Sequence, residues 1–336
     1  MCIHCWIAAM ISFCPGQSET NPPPRDVKVL RPVHTYSIVA RDPATGQMGV
    51  AVQSHWFSVG AIVPWAEAGV GAVATQSFVD PAYGALGLEM MRRGKSAPDA
   101  LRGLLASDDG RAVRQVAMID SQGRVAAHTG ERCIAQAGNE TDADAQFSVQ
   151  ANLMEKDTVW PAMAAAYRSA KGDLADRMIA ALEAAERAGG DIRGSQSAAL
   201  LIVKAESSGK PWADRLFDLR VEDHPDPVGE LKRLVRIQRA YNHMNAGDAA
   251  MEHSDFESAT REYAAAVQFA PQIVELPFWQ AVTLASNGRI EQALPIFHEV
   301  FAKERRWVEL TPRLVPAGLL PDDPKLLKRI LAQAPR

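Results

Sequence analysis

The pattern of apolar and polar residues divides the chain into three parts. Residues 1–34 begin with a short apolar run, residues 35–227 alternate β-type runs with segments of helical spacing, and residues 228–336 keep helical spacing. In the middle part, runs bounded by turn residues predict the strands Thr35–Arg41, Met48–Ser54, Val70–Gln76, Val113–Ile119, Val125–His128, Phe147–Ala151, Ser197–Val203 and Arg215–Val221. Apolar residues spaced three or four positions apart predict the helices Tyr83–Arg93, Ala97–Ala106, Thr158–Ala170 and Leu174–Ala188.

The order of these elements is strands, a helix pair, strands, a helix pair and strands, which is typical of the α+β class. The run Ser197–Val203 lacks strict alternation of apolar and polar residues, and this indicates a strand that is buried on both faces. Two stacked sheets covered by helices on the outside satisfy this order, and so does an ordinary layer of strands and helices.

Residues 228–336 contain an internal repeat. Residues of similar kind recur 34 positions apart at positions typical of tetratricopeptide repeats: Ala259, Tyr263 and Ala266, then Ala293, Phe297 and Val300, with Gly247 and Pro271 flanking the first set. We expect an all-α repeat domain with two repeats, roughly 240–273 and 274–306, and a capping segment; a plain helical hairpin is the alternative. Two repeats rarely stand alone, so this module is expected to pack on the larger domain, on a second copy of the chain or on a protein partner.

The beginning of the chain resembles a targeting segment. Ile3 to Phe13 is mostly apolar but too short to span a bilayer, and a polar stretch and Pro22–Pro24 follow it. We interpret residues 1–20 as a signal-peptide-like leader and 21–34 as a proline-rich linker or propeptide. The protein is then exported to the periplasm or secreted, without a membrane span in its mature form. Signal peptides usually begin with basic residues, and none precedes the apolar run here, which favours a wrongly assigned start of the chain. In that case the protein would be cytoplasmic.

Composition and motifs remove several functional classes. Apolar residues make up 47% of the chain and charged residues 23%, and the net charge of -4 gives no electrostatic basis for binding nucleic acid. The spacing of Cys2, His4 and Cys5 suggests a metal site, but these residues lie in the apolar leader, and Cys133 alone lies beyond it. Phosphate-loop, dinucleotide, serine-elbow and zinc-helix motifs are missing from the sequence. We therefore predict neither a metal nor a cofactor.

Thr35 offers a chemistry that needs few residues. It begins the first predicted strand, directly after a segment that processing would remove. Once exposed, its α-amino group, with a pKa near ~8, can accept the proton of its own hydroxyl, so nucleophile and base are one residue. The plain alternative is a β-branched residue that begins a strand.

Five segments resemble the bacterial family called domain of unknown function 1028: His34–Asp42, Gly49–Ser54, Val63–Gln76, Gly189–Leu201 and Asp218–Pro227, in the expected order. The resemblance implies an N-terminal-nucleophile (Ntn) hydrolase-like domain at residues 35–227, built as a four-layer α-β-β-α sandwich. By analogy it also implies hydrolysis of an amide C–N bond in a small molecule or peptide, with Thr35 as nucleophile and base. The substrate is not identified.

Three polar residues at predicted strand ends are candidates for stabilising the oxyanion of such a reaction. Thr75 and Gln76 end a buried strand, and Asn152 follows the strand Phe147–Ala151. Asn152 can equally cap the turn before Leu153.

Five further residues are candidates for binding substrate or supporting Thr35. Ser54 and His55 end the second strand beside Thr35. The alternative for His55 is an ordinary half-exposed residue without a role in binding. In a glycine-flanked loop, Arg193 can form a fork with a substrate carboxylate while Asp191 holds Arg193 or the Thr35 amine, and Gln196 follows them. The alternative is an Asp191–Arg193 pair that only fixes the loop.

A different class of function is a catalytically inactive Ntn-like scaffold that binds or assembles other proteins through its repeat helices. A cytosolic metabolic enzyme with another mechanism is a third hypothesis, and homo-oligomerisation stays open. The identity of the first residue of the mature chain separates the first two.

Overall fold

Two antiparallel sheets with flanking helices, followed by an all-helical region, make up residues 35–335, which are the residues that the computed structural model describes. The strands are β1 (Thr35–Arg41), β2 (Met48–Ser54), β3 (Pro64–Glu67), β4 (Gly71–Ser77), β5 (Arg114–Asp120), β6 (Val125–Thr129), β7 (Gly138–Asp142), β8 (Phe147–Ala151), β9 (Ser197–Val203) and β10 (Arg215–Val221). The helices are α1 (Ala82–Arg92), α2 (Ala97–Ser107), α3 (Val159–Ser169), α4 (Leu174–Arg187), α5 (Pro227–Glu252), α6 (Phe256–Phe269), α7 (Glu275–Ser286), α8 (Ile290–Lys303), α9 (Arg306–Leu310) and α10 (Pro324–Leu331). The predicted α+β class is confirmed. The leader, the linker and the Cys2, His4 and Cys5 spacing lie outside the described residues.

The larger sheet has six strands in the order β10-β9-β2-β1-β8-β7, and the smaller sheet has four in the order β3-β4-β5-β6. The β1–β2 hairpin pairs Thr35 with Ser54, and β2 pairs with β9 so that Ser54 lies opposite Ser197. On its other side β1 pairs with β8. The first residue of β1 therefore lies at one end of the sheet, in an interior strand.

Each sheet has one face towards the other sheet and one face towards helices. On the larger sheet, Tyr36, Ile38 and Phe147 pack in one core with α3, α4 and the beginning of α5. On the smaller sheet, Val73 and Val116 pack with α1 and α2. Another apolar cluster lies between the sheets and includes Val39, Val50, Val52, Ala72, Ala117 and Ala199. All residues of β9 are buried, which confirms the prediction for Ser197–Val203.

Two strands were not predicted from the sequence, and both lie at sheet edges. β3 has only four residues, begins at Pro64 and is partly exposed throughout. β7 has the sequence GNETD, in which no apolar residue marks a buried face. Edge strands contain fewer apolar residues because one or both of their faces contact solvent. The hydrophobic pattern of the sequence therefore does not reveal them.

Helix α5 belongs to two cores. It begins at Pro227. The preceding residue, Asp226, caps the helix because its side chain accepts a hydrogen bond from the backbone N–H of Gly229. In its first turns Leu231 joins the core beneath the larger sheet, and further along Met244 joins the core of the helical region. The predicted domain boundary at residue 227 thus coincides with the beginning of a helix of 26 residues that both parts share.

The helical region is built from pairs of contacting helices, α5 with α6 and α7 with α8. The two sets of residues related by 34 positions are all buried in one core: Ala259, Tyr263, Ala266, Ala293, Phe297 and Val300. Gly247 of α5 lies so close to Tyr263 that an added Cβ would sit 2.5 Å from the ring. Among residues 35–335, none of the helices combines the length and apolar character needed to cross a membrane.

Candidate active site

Polar side chains fill one part of the space between the sheets. Because side chains alternate along a strand, every second residue of β1, β4, β5 and β8 faces this space. At the end nearest Thr35 those residues are polar and completely buried: Ser37, Gln76, Gln115, Ser148, Gln150 and Asn152. Buried polar groups are tolerated only when they are hydrogen-bonded, so such a layer requires a connected network.

Gln115 is the centre of this buried amide network. Its Nε2 donates within 2.8 Å to the carbonyl oxygen of Ala151 and within 2.9 Å to the hydroxyl of Thr129. Its Oε1 accepts from Gln76 Nε2 at 2.7 Å and from Asn152 Nδ2 at 2.8 Å. Gln115 thereby holds together residues of three strands and fixes which way the amides of Gln76 and Asn152 point.

A second branch of the network runs along the larger sheet. The hydroxyl of Ser37 donates to Oε1 of Gln76 at 2.6 Å, and Nε2 of Gln150 donates to the same hydroxyl at 2.6 Å. Ser148 then donates to Oε1 of Gln150 at 3.1 Å. The amide groups of the two sheets are thus oriented by one another.

Thr35 lies at the edge of this network and is completely buried in the intact chain. Its carbonyl oxygen accepts from the backbone N–H of Asn152 at 3.1 Å, from Gln76 Nε2 at 3.2 Å and from Asn152 Nδ2 at 3.4 Å. Its hydroxyl donates to the hydroxyl of Ser54, 3.2 Å away. The backbone of Thr35 is therefore fixed from both sheets, while its side chain faces a second hydroxyl.

Ser197 continues the row formed by Thr35 and Ser54 across three adjacent strands. Its hydroxyl accepts from the backbone N–H of Val59 at 3.1 Å and donates to the carbonyl oxygen of Trp56. This fixes the turn that carries His55 away from the end of β2.

The loop between α4 and β9 carries an ion pair close to this row. Arg193 donates to the Asp191 carboxylate through Nε at 3.0 Å and through Nη2 at 2.6 Å, and its backbone N–H donates at 2.9 Å. Asp191 is only 5% exposed and also accepts from the backbone N–H of His55 at 3.3 Å. This geometry fixes the loop against the end of β2.

Of the remaining predicted residues, Gln196 lies near the row of Thr35, Ser54 and Ser197, and Thr75 points away from it. The backbone N–H of Gln196 donates to the carbonyl oxygen of Ser54 at 3.2 Å, and its side chain donates to Asp223 at 3.1 Å. Thr75 donates to the carbonyl oxygen of Asp80 at 3.1 Å, on the face of β4 opposite to Gln76. Because neighbouring residues of a strand face opposite sides, the structure brings Gln76 to Thr35 and leaves Thr75 on the helix side.

Backbone strain is stored directly beside the network. The residues that follow Gln76 and Asn152 both have left-handed backbone, Ser77 with φ of 68° and Leu153 with φ of 57°. For residues other than glycine this costs ~1–2 kcal/mol each, and such strain concentrates at functional sites. Leu153 is held there because its N–H donates to the carbonyl of Ile134 and its carbonyl accepts from the N–H of Ile192.

A comparison with known families shows to which family the chain belongs. A family model described as "Family of unknown function (DUF1028)" matches residues 35–231, more than half of the chain. The chain belongs to the DUF1028 family. Its match covers both sheets, helices α1 to α4 and the first residues of α5.

A solved DUF1028 structure is similar to the same part of the chain. The crystal structure of protein SPO2555 from Silicibacter pomeroyi, titled as a DUF1028 family member, is 31% identical with a TM-score of 0.53. The similarity covers 60% of this chain and 88% of that chain. The search of curated proteins found no significant match.

Sequence reasoning missed five members of the network in this DUF1028 domain: Ser37, Gln115, Thr129, Ser148 and Gln150. A signal for two of them exists in β8, where Ser148 and Gln150 alternate with apolar residues and Asn152 continues this period directly after the strand. Polar residues with a period of two are usually taken as the solvent face, and here that face is covered by the second sheet.

Behind Thr35, on the helix face of the larger sheet, Tyr36 is hydrogen-bonded to the carboxylate of Glu186 in the last turn of α4. Burial, and then the nearby charge of Glu186, raises the pKa of the Tyr36 hydroxyl well above its usual value. Ser195 donates to the same carboxylate at 2.9 Å. Glu186 therefore connects the strand of Thr35 with the loop that carries Arg193.

A metal centre has no support in the part of the DUF1028 chain that the structure describes. There, no three His, Cys, Asp or Glu side chains are grouped so that they could hold a metal ion. The polar groups around Thr35 are hydroxyls and amides, which donate hydrogen bonds and orient a nucleophile but are poor ligands for transition metals.

Proposed function

We propose that the DUF1028 domain is an Ntn-type amidohydrolase with Thr35 as nucleophile and base. The observation that carries the proposal is the position of Thr35 as first residue of an interior strand, with its hydroxyl 3.2 Å from Ser54 and its carbonyl oxygen held by amide donors of Gln76 and Asn152. The helices that flank the two stacked sheets agree with the four-layer α-β-β-α arrangement expected of Ntn hydrolases, and this supports the proposal.

The reaction begins with cleavage of the bond between His34 and Thr35. The freed amine of Thr35 accepts the hydroxyl proton while the oxygen attacks the carbonyl carbon of the substrate amide. The tetrahedral intermediate breaks its C–N bond, the leaving nitrogen takes the proton, and an ester on Thr35 remains. Water then hydrolyses this ester, with the same amine as base, and restores the hydroxyl.

Gln76, Gln115 and Asn152 act in this proposal as positioning residues. The amide N–H groups of Gln76 and Asn152 donate to Thr35 and to Gln115, so they hold the nucleophile rather than meet the oxyanion. Asp191 and Arg193 fix the neighbouring loop, in which Gln196 donates to the carbonyl oxygen of Ser54, and Asp191 also accepts from the backbone N–H of His55. A reacting group must be held within a fraction of an ångström, and a connected buried network provides such rigidity.

Burial of Thr35 places a demand on the proposal. In the intact chain the residue has no exposed surface. The proposed activity therefore requires a free amine on Thr35 and also a path for substrate to reach this residue. The same burial supports the rival proposal, in which the domain is an inactive scaffold and the tetratricopeptide-like helices bind a protein partner or a second copy.

The deciding experiment has two parts. First, N-terminal sequencing and intact mass of protein purified from its own host should give a chain that begins at Thr35, and the cell fraction that contains it tests export. Second, a chain prepared with Thr35 at its N-terminus should form a covalent adduct with a β-lactone probe on that residue. Thr35→Ser should keep the adduct and Thr35→Ala should lose it, whereas a chain that retains residue 34 serves as the unprocessed control. A mature chain that begins elsewhere, or labelling that survives Thr35→Ala, rules out the proposed mechanism.

A further inference from the structure

A cavity of about 310 Å³ lies at the end of the sheets opposite to Thr35. Strand β9 runs from Ser197, in the row of Thr35, to Val203, which lines this cavity. Seven strand residues span about 20 Å, so the cavity is a separate place in the fold. A volume near 300 Å³ is at the lower limit for cavities that hold small organic ligands.

Asp214 is the buried polar residue in the lining of this cavity, and it is only 2% exposed. Its Oδ2 accepts from the backbone N–H of Ser208 at 3.0 Å and from the hydroxyl of Ser207 at 3.3 Å. Its Oδ1 is also buried, yet within residues 35–335 it has no hydrogen-bond partner. A buried carboxylate oxygen without a donor is unfavourable, so this position favours a ligand that brings one.

The negative charge of Asp214 is not balanced by the other charged residues of the lining. Arg92 pairs with Glu67, with its Nε 2.9 Å from Oε1, and Arg215 pairs with Asp218 at 2.6 Å. Hydrogen bonds from Ser208 lower the pKa of Asp214 against the opposing effect of burial, so the carboxylate is charged at neutral pH.

Lys204 is the cation nearest to the unsatisfied oxygen. Its Nζ lies 4.0 Å from Oδ1, beyond hydrogen-bond distance, and its side chain is 45% exposed. Lys204 is therefore a long-range ion-pair partner that gives Oδ1 no hydrogen bond, so it competes with a ligand for this position, and its removal gives a direct test.

We propose that this cavity binds the ammonium group of a small primary amine, with Oδ1 of Asp214 as the acceptor. An ammonium group supplies the missing donor and the opposite charge together. Its alkyl part would lie against Ala66, Ala68, Val203 and Pro211, which give the cavity its apolar wall. A metal ion fits less well because Glu67, the other carboxylate of the lining, is engaged by Arg92.

Trp212 provides a spectroscopic reporter for this site. It follows Pro211 of the lining and is 78% exposed. An amine that enters the cavity should change the fluorescence of this indole. Trp212→Phe should abolish the fluorescence change, whereas the heat of amine binding measured by isothermal titration should stay the same.

Isothermal titration of the full chain with n-butylammonium chloride tests the proposal, with butan-1-ol and tetramethylammonium chloride as probes that lack the charge or the N–H donors. We expect saturable binding of the amine alone, at least about tenfold weaker in Asp214→Asn, which corresponds to about 1.4 kcal/mol. Ala66→Met should fill the cavity and remove binding without changing Asp214, which keeps the test valid if Asp214→Asn does not fold. Glu206→Gln, at an exposed carboxylate close by in the chain but outside the lining, is the matched control and should bind normally.

Lys204→Met should bind the amine more tightly than the unchanged chain, because a competing ammonium group has been removed. Saturable binding that appears only in Lys204→Met would overturn the proposal, since Lys204 would then be the natural occupant. Equal binding of butan-1-ol, unchanged binding in Asp214→Asn, or no binding in the unchanged chain would overturn it as well.

Discussion

Gln76 of the smaller sheet donates from Nε2 to the carbonyl oxygen of Thr35 in the larger sheet, at 3.2 Å. The same nitrogen donates to Oε1 of Gln115 at 2.7 Å, so the contact belongs to a network rather than to an isolated pair. The position of Thr35 is therefore set by how the two sheets stack, and not by its own strand alone. Changes within the network should reach Thr35 even when they do not touch it.

Replacing Gln115 with alanine should destabilise the protein strongly. The substitution removes the shortest hydrogen bond of the Gln76 and Asn152 amides and leaves them only longer contacts such as those to Thr35, and these groups are completely buried. Loss of several buried hydrogen bonds should lower the free energy of unfolding by ~3 kcal/mol or more, as measured by urea denaturation. Gln122→Ala, at an exposed position, is the control and should change it by less than ~0.5 kcal/mol. Equal stability of the two variants would show that the network does not hold the sheets together.

Gly247→Ala should destabilise the helical region because the new Cβ would lie 2.5 Å from the ring of Tyr263. Overpacking of this kind costs ~1–3 kcal/mol and outweighs the gain of ~1 kcal/mol that alanine normally brings to a helix. Gly103→Ala in α2 is the matched control, since its Cβ would meet only the methyl end of Met90 at 3.2 Å. Thermal unfolding should show a lower Tm for the first variant and an equal or higher Tm for the second. A Tm increase in Gly247→Ala would contradict the close approach of α5 and α6.

The sequence predicts most strands and the first four helices because each has a clear apolar period, but it does not predict which polar residues meet. Thr75 and Gln76 are neighbours with similar polarity, and a strand turns them to opposite faces. Which face meets the second sheet depends on how the sheets stack, and β4 is paired with β3, a strand that the pattern does not reveal. For the same reason Gln115 carries no local sign of its role.

The loop residues illustrate a different limit. The spacing of Asp191 and Arg193 predicts a salt bridge or a substrate fork, and both need the same residue types. The choice depends on burial: Asp191 is 5% exposed and its carboxylate also accepts from His55. Burial of one residue of a loop is a tertiary property that neither composition nor spacing contains.

Asp108 should make stability depend on pH in the acid range. Burial acts to raise its pKa, but hydrogen bonds from Arg114 and from the backbone of Gly110 outweigh this and hold the pKa below its usual value. A carboxyl whose folded pKa is lowered stabilises the protein above its unfolded pKa of ~3.9, and this contribution is lost as pH falls through the folded pKa. Asp108→Asn should therefore cost ~1 kcal/mol at pH 7 and progressively less below pH ~4, measured by urea denaturation across pH.

Asp109→Asn, at the exposed neighbouring carboxylate, is the control for this titration and should follow the unchanged chain at each pH. If the difference between Asp108→Asn and the unchanged chain were constant from pH 7 to pH 3, the ion pair with Arg114 would not be the source of the shift. Because Arg114 is the first residue of β5 and directly precedes Gln115, loss of this pair should also loosen the buried amide network.

If Thr35 uses its own amine as base, its reactivity should follow the titration of that amine. An α-amino group has a pKa of ~8, and only its neutral form accepts the hydroxyl proton. For a chain that begins at Thr35, the rate constant of β-lactone labelling should fall about tenfold per pH unit below pH ~7 and level off above pH ~9. Thr35→Ser should keep the same inflection with a different plateau, because the amine is retained. A chain that still carries residue 34 has an amide nitrogen in place of the base and should show neither the inflection nor rapid labelling. Labelling that is independent of pH between 6 and 9 in the processed chain would instead show that the amine of Thr35 is not the base.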